Sequence, residues 1–435
     1  MVVTSDWFPE LLKLYVQRTG FTLSQLSQLS GIPKPTLANW LSGRVKKPRL
    51  RSDIIQLAQA LHLKEFETQE LLKAAGYAAT AGGTTAENRI FHSPEHTPSE
   101  AKKGQVPFQA IPALPYFVGR ETELANLKKA LLNDRENHIL TLEGMPGVGK
   151  TALAAHLAYK MRPFFPDGVL WARLNRSSPE AILSTFAGAY GVEIMEHAPA
   201  ASRSRVLREI LADKRTLILL DDAWEINQIL PFLPPTGDSR LVVTTPRRAL
   251  LAAIGAYQFH LRPFPASGIE SLKLFARLAG ERVVKDNQQA FLELAHLLGH
   301  LPLALAIAAS RLAFEPDWGI AEYLIQIKRP KQRLDFLVYE RKSVRSAFSR
   351  SVQNLDQQEK RFFNSLAELY PAGFSAQAAA ASNQLPAGRT QAYLRKLYHL
   401  FLVEMKAPDR FYLHTLIRDY ARQALDPSNE DLPQP

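Results

Sequence analysis

Cysteine is absent from the 435 residues, so neither disulfides nor cysteine-ligated zinc can stabilise this chain or do its chemistry. That absence agrees with a reducing cytoplasm, the expected location. Long apolar runs are also missing. The best stretch, residues 301–309, is far shorter than the ~18 apolar residues a membrane span needs. Asp6 and Glu10 interrupt the N-terminus before the apolar core of a signal peptide could form. No self-similarity at a fixed period is present, which argues against a solenoid or a propeller. Acid is the scarcer charge, with 42 Asp and Glu against 53 Lys and Arg and a net charge of +11. Such an excess suits a polyanionic partner such as nucleic acid but says nothing about fold. It concentrates at Lys34, Arg44, Lys46, Lys47, Arg49 and Arg51, with no acid between them, and at residues 328–350, where eight bases face Asp335 and Glu340.

What remains is the composition of a globular protein, 46% hydrophobic and 22% charged, with length for about three domains. Residues 6–77 read as short helices. Residues 79–115 hold Gly82, Gly83, Pro94, Pro98, Pro107, Pro112 and Pro115 with little apolar surface to bury, the pattern of a linker. From 116 to 265, apolar runs at 138–142, 169–174, 216–220 and 240–244 alternate with helical stretches. None shows a two-residue alternation, so each reads as a strand covered on both faces, and the alternation implies a parallel sheet between helix layers. Beyond 265 amphipathic helices are expected at 267–280, 287–311 and 319–328. Helices over 343–425, ending in β-like runs at 401–406 and 410–413, suggest a winged helix.

Gly144-Met-Pro-Gly147-Val148-Gly149-Lys150-Thr151 has the spacing of a phosphate-binding loop between a strand and a helix. Its glycines let backbone amides close on phosphate oxygens. Lys150 can reach the β- and γ-phosphates, Thr151 offers a hydroxyl to Mg²⁺, and the helix that follows adds its positive dipole end. Val148 and Ala152 belong to the same wrapping. The run at 216–220 ends in Asp221 and Asp222. Asp221 is placed in the Mg²⁺ shell, and Asp222 is the candidate catalytic base for an attacking water. Thr245 and Arg247, after the run at 240–244, are candidate sensors of the γ-phosphate, although Pro246 separates them.

Near the N-terminus, Leu23 to Gly43 reads as helix, tight turn, helix, and two more helices follow. Ile32, Leu37 and Trp40 or Leu41 would supply its core. Lys34, Thr36 and Asn39 would be left on an exposed face. The stretch resembles the XRE/Cro-type helix-turn-helix, including its Trp-x-x-Gly ending. In a DNA-binding module Asn39 would read adenine, Lys34 would favour guanine, and Arg44, Lys46, Lys47, Arg49 and Arg51 would hold phosphates. A protein-docking role for the same fold stays open.

The larger part of the chain resembles the NB-ARC class of STAND ATPases, in the bacterial form. Phe117-Val118-Gly119-Arg120-Glu121-Thr-Glu123 looks like the opening signature of that class, and Leu301-Pro302-Leu303-Ala304-Leu305 like its GLPLAL motif. Leu413-His414-Thr415 sits where the class carries MHD. The resemblance implies that Val118 and Arg120 lie near adenine and ribose, that Pro302 lies against the nucleotide, and that His414 contacts the β-phosphate of ADP. Three positions depart from the pattern: His300 for a glycine, Thr415 for an aspartate, and the inserted Pro246. The implied organisation is a helix-turn-helix at 1–78, a linker at 79–115 and an α/β P-loop NTPase domain with a parallel sheet at 116–265. An α-helical ARC domain at 266–336, a winged helix at 337–425 and a tail at 426–435 complete it. The implied function is an ATP/ADP switch with Mg²⁺, slow hydrolysis and self-association in the ATP state. Its helix-turn-helix would bind duplex DNA to regulate transcription. A defence-type scaffold and a DNA-stimulated loader ATPase stay open beside it.

Overall fold

The computed structural model describes residues 7–19, 23–30, 32–45, 48, 51–61, 63, 65–75, 77, 106–133, 138–195, 197–235, 237–314, 319–340 and 342–423. The chain divides into two compact units, Met1–His92 and Ser93–Pro435.

The first unit holds α1 (Trp7–Thr19), α2 (Leu23–Ser30), α3 (Lys34–Leu41), α4 (Arg51–Ala60) and α5 (Glu65–Ala74). Phe8, Leu26, Ile32, Leu37, Trp40, Leu57 and Leu71 form one buried core. Pro33 precedes α3 and Pro35 stands in its first turn, where a missing amide hydrogen costs no helical bond. Trp40 meets Phe8 edge-on at 6.0 Å, which orients α3 against α1. Leu41 lies at the margin of the core rather than within it. Lys34 and Arg44 are exposed, and Thr36 and Asn39 half-buried. Lys46, Lys47 and Arg49 lie outside the described residues, as do 79–105 of the linker and the tail at 426–435.

The second unit opens on a strap. Pro107 accepts the Val169 amide at 2.9 Å, and Gln109 donates to the Val169 carbonyl at 2.8 Å. Then come α6 (Glu121–Asn133), β1 (Ile139–Glu143), α7 (Lys150–Met161), β2 (Val169–Arg173), α8 (Pro179–Gly188), α9 (Ala200–Leu211), β3 (Leu217–Asp221), β4 (Arg240–Thr245) and β5 (Tyr257–His260). The strands form one parallel sheet in the order β2-β3-β4-β1-β5. Every residue of β3 and β4 is buried, as both-face coverage requires, and each such Leu or Val contributes about 1.5–3 kcal/mol. The edge strand β5 has no counterpart among the expected strands. Its four residues are exposed or half-buried and include Gln258 and His260, so the apolar pattern is diluted there.

A helical section follows, with α10 (Ile269–Ala279), α11 (Glu281–Asp286), α12 (Gln288–Leu297), α13 (Pro302–Phe314) and α14 (Ile320–Ile327). The single helix expected over 287–311 is two. Gly299 and His300 both take left-handed backbone, with φ of 58° and 54°, and Pro302 starts α13. His300 thus carries the conformation for which glycine is the usual residue.

The chain turns through the short β6 (Val338–Tyr339) and β7 (Lys342–Ser343) into α15 (Val344–Gln353), α16 (Gln357–Ser365), α17 (Ala376–Asn383) and α18 (Ala387–His399). The antiparallel hairpin β8 (Glu404–Ala407) and β9 (Arg410–Tyr412) and the final α19 (Thr415–Gln423) complete the winged-helix arrangement. The hairpin starts at Glu404 rather than 401, because Phe401 turns with φ 56° and residues 401–403 are buried. Among the described residues no helix is long and apolar enough to cross a membrane.

Candidate functional site

The phosphate loop bridges β1 and α7. Gly149 precedes α7 with φ 98°, and Gly147 has φ 81°. A Cβ on Gly144 would lie 2.5 Å from the Leu261 carbonyl oxygen, so packing as well as phosphate access demands glycine there. Val148 is fully buried beneath the loop. Lys150 Nζ donates to the carbonyls of Gly144 at 2.7 Å and Met145 at 3.1 Å. Burial lowers its pKa to about 8, against the opposing pull of Asp222 and Asp221. Thr151 and Ala152, half-buried, open the helix beside it.

Because β4 lies between β1 and β3 in the sheet, a β4 hydroxyl fills the space between the loop and the paired acids. Asp221 Oδ1 accepts from Thr151 Oγ1 and from Thr244 Oγ1, each at 2.7 Å. Its Oδ2 accepts from Arg173 Nε at 3.0 Å. The register sets Arg173 directly across from Asp221. Hydroxyl and carboxylate oxygens at the mouth of the loop are the hard donors Mg²⁺ prefers. Among the described residues no three acids or histidines form a metal cage.

Asp222 leaves β3 in left-handed backbone, φ 65°. Its Oδ2 accepts from Asn175 Nδ2 at 2.8 Å and from Arg350, and its Oδ1 from Trp224 Nε1 at 3.2 Å. Thr245 donates to the Ala223 carbonyl at 2.7 Å and accepts the Arg247 amide at 3.0 Å. The Arg247 guanidinium donates to the Trp224 carbonyl at 2.8 Å, on the Asp222 side of the site. The next residue, Arg248, faces the winged helix. It bonds Glu404 at 2.9 Å and lies over the rings of Tyr398 and Phe401 at 3.9 and 4.1 Å.

Val118 is half-buried. Arg120 is a junction: its guanidinium donates to Glu123 at 2.7 Å, to the Arg262 carbonyl at 2.7 Å and to the Val148 carbonyl at 3.4 Å. It also stacks over Phe264 at 4.6 Å. The opening signature is thus sewn to the loop and to the start of the helical section. Beside Pro302, the Leu303 amide donates to the Gly147 carbonyl at 3.0 Å, which brings the N-terminus of α13 onto the phosphate loop.

His414 Nε2 donates to the Gly299 carbonyl at 2.9 Å, while Nδ1 accepts the Leu416 amide at 3.3 Å. That pattern fits a neutral ring, and burial holds its pKa at about 4. His300 bonds Ser271 at 2.9 Å and His296 at 3.2 Å. Thr415, at the position of the family aspartate, accepts from Arg333, which also pairs with Asp419 at 2.6 Å inside the protein. The sequence pattern did not single out Arg173, Thr244, Arg248 or Arg350. Arg173 carried a signal only in retrospect, as a cation at the end of an apolar strand.

Residues 120–284 match the model of the NB-ARC domain. The regulatory protein AfsR of Streptomyces coelicolor is 32% identical over 338 residues, covering 75% of this chain and 34% of that protein. The late blight resistance protein R1-A of Solanum demissum is 31% identical over 212 residues, covering 45% of this chain and 16% of that protein. The chain thus spans about a third or less of the length of these curated relatives. Among solved structures, the Walker-type ATPase PABY2304 of Pyrococcus abyssi aligns with a TM-score of 0.50 and 12% identity, over 70% of this chain and 96% of that one. It shares the fold. Phosphate loop, sheet order and sequence matches together identify residues 120–284 as an NB-ARC domain, a P-loop nucleotide-binding module.

Proposed function

We propose that this chain is an ATP/ADP switch that regulates transcription through its N-terminal helices. In the ADP state the phosphate loop, the helical section and the winged helix stay closed on one another. ATP opens them and allows copies to associate, and slow hydrolysis resets the closed form. The observation that carries this reading is the bond from the Leu303 amide to the Gly147 carbonyl, at 3.0 Å. It makes the helical section part of the phosphate site, and through the bond from His414 to Gly299 the winged helix leans on the same junction. A change at the phosphates therefore acts on all three parts. Such a switch needs only a few kcal/mol of difference in nucleotide affinity between its states.

In this reading Lys150 and the loop amides hold the phosphates. Val118, Arg120, Val148, Ala152 and Pro302 shape the nucleotide bed, with Arg120 acting through the loop carbonyl it bonds. Thr151 and Asp221 would hold Mg²⁺, which neutralises charge on the phosphates when bound. Asp222 takes a proton from water. Thr245 and Arg247 relay the occupancy of the site toward the Asp222 turn, and His414 responds to the β-phosphate. On the first unit, Asn39, Lys34 and Thr36 face the bases of duplex DNA while Arg44, Lys46 and Lys47 hold its backbone. The exposure of Lys34 and Arg44 and the regulatory role stated in the name of the AfsR relative support this output.

The test is to identify the nucleotide that accompanies the purified chain, then to measure its mass in solution with ADP and with a non-hydrolysable ATP analogue. A single copy with ADP and a multiple with the analogue is expected. Equal masses in both, with both nucleotides bound, would sink the switch. DNA binding by the whole chain should weaken steeply with salt and should lose sequence preference in Asn39→Ala. Absence of any duplex binding at low salt favours a scaffold that docks protein instead.

A further inference from the structure

Asp222 is gripped from a separate part of the fold. Arg350, in the last turn of α15, donates to Asp222 Oδ2, and its guanidinium lies 5.3 Å over the ring of Trp224. Trp224 in turn donates to the other oxygen of the same carboxylate at 3.2 Å, and Asn175 donates to Oδ2 at 2.8 Å. The backbone is fixed as well, since the Asp222 amide donates to Thr244 Oγ1 at 2.9 Å. Both oxygens of the carboxylate are thus already engaged, by three donors of which one is cationic, where an attacking water would have to bond.

We infer that Arg350 is a positioning residue that silences Asp222 while the winged helix is docked, so that ATP is cleaved only after α15 has moved away. The inference rests on the proposed role of Asp222 as base. In the step concerned, the water oxygen bonds to the γ-phosphorus as the bond from that phosphorus to the β–γ bridging oxygen breaks. The bonding electrons leave with ADP, and the water proton passes to Asp222 and then to phosphate. Departure of Arg350 leaves Oδ2 open to the water.

The exposure of the pair favours a latch over a brace. The Arg350 and Asp222 side chains are 43% and 26% exposed, whereas those of Arg333 and Asp419 are 6% and 3% exposed. A pair at the rim gives up little when water replaces either partner. A buried one leaves a stranded charge when it parts. Of the ion pairs held by the basic stretch at 328–350, this one reaches the catalytic acids.

The experiment is steady-state ATP hydrolysis by the full chain. Arg350→Ala should raise kcat about tenfold, the scale of one rim ion pair with a cation–π contact, with KM little changed. Arg350→Lys should keep most of the restraint. Asp222→Asn combined with Arg350→Ala should fall to the rate of Asp222→Asn alone. If Arg350→Ala turns over no faster than the parent while Asp222→Asn is slowed, the latch is overturned and the base survives. If Asp222→Asn is as fast as the parent, the role of Asp222 itself falls, whatever Arg350→Ala does. A salt series on the parent gives a reading independent of variant folding. Its kcat should rise as the pair is screened, and a flat or falling series contradicts the latch.

Discussion

Lys150 sets the pH dependence of the phosphate loop. Its pKa of about 8, below the ordinary 10.5, comes from burial. In the free protein the ammonium is therefore lost as pH rises through about 8. A bound polyphosphate restores it, so nucleotide binding between pH 8 and 10 should take up a proton. Calorimetry in buffers of different ionisation enthalpy measures that uptake, which should vanish in Lys150→Ala together with about 1.5–3 kcal/mol of affinity. His414 works in the opposite range. Its folded pKa of about 4 lies below its ordinary 6.5, so the unfolded chain binds the proton first and stability falls as pH drops from 6.5 toward 4. Denaturant unfolding at pH 7 and pH 5 should differ by about 2 kcal/mol from this ring, and His414→Gln should flatten the difference. Single residues of the loop were legible in the sequence because Gly147, Lys150 and Thr151 act at fixed short spacing. Arg173 and Thr244 were not, because they reach Asp221 only through strand order.

The elements follow the apolar pattern where both faces are covered and depart from it where a backbone twist or a half-open edge intervenes. β3 and β4 were readable from their unbroken apolar runs. β5 was missed because Tyr257 and Gln258 are exposed; the break between α12 and α13 was missed although Gly299 and Pro302 mark it, because apolar residues run on across it at 297, 298, 301 and 303. Gly147 shows how tightly element and site are joined. It has φ 81°, and a Cβ there would approach Leu303 and Leu301 within 3.1–3.3 Å. Gly147→Ala should therefore push α13 off the loop. The expected result is faster amide exchange at Leu303 together with lost nucleotide retention, and a stability cost of about 1–3 kcal/mol. Normal exchange with lost retention would separate the two roles.

At the scale of the whole second unit, the winged helix is fastened to the sheet by side chains that no local pattern announces. Arg248 bonds Glu404 and the Tyr398 carbonyl, and its own amide donates to the His399 carbonyl at 2.8 Å. Arg248→Ala should loosen that closure, speed ADP release and raise the exchange of β8. A double-mutant cycle with Glu404→Gln should give a coupling of about 1–2 kcal/mol for this partly buried pair. Additive effects would remove Arg248 from the closure. The basic stretch at 328–350 belongs to the same account. Lys328 pairs with Glu293, Arg333 with Asp419, Arg345 with Asp335 and Arg350 with Asp222. At least these four bases serve folding and closure, a use that charge counting could not distinguish from attraction to a polyanion.

The strap at Pro107 bears on what can pair with the sheet. Gly168, with φ 130°, leaves room for Pro107 where a Cβ would sit 2.7 Å from its ring, and Pro107 has no amide hydrogen to offer a newcomer. The outer margin of β2 is thereby plugged where a foreign strand would start to zip on. Extension of the sheet by a strand from another chain is discouraged from that side.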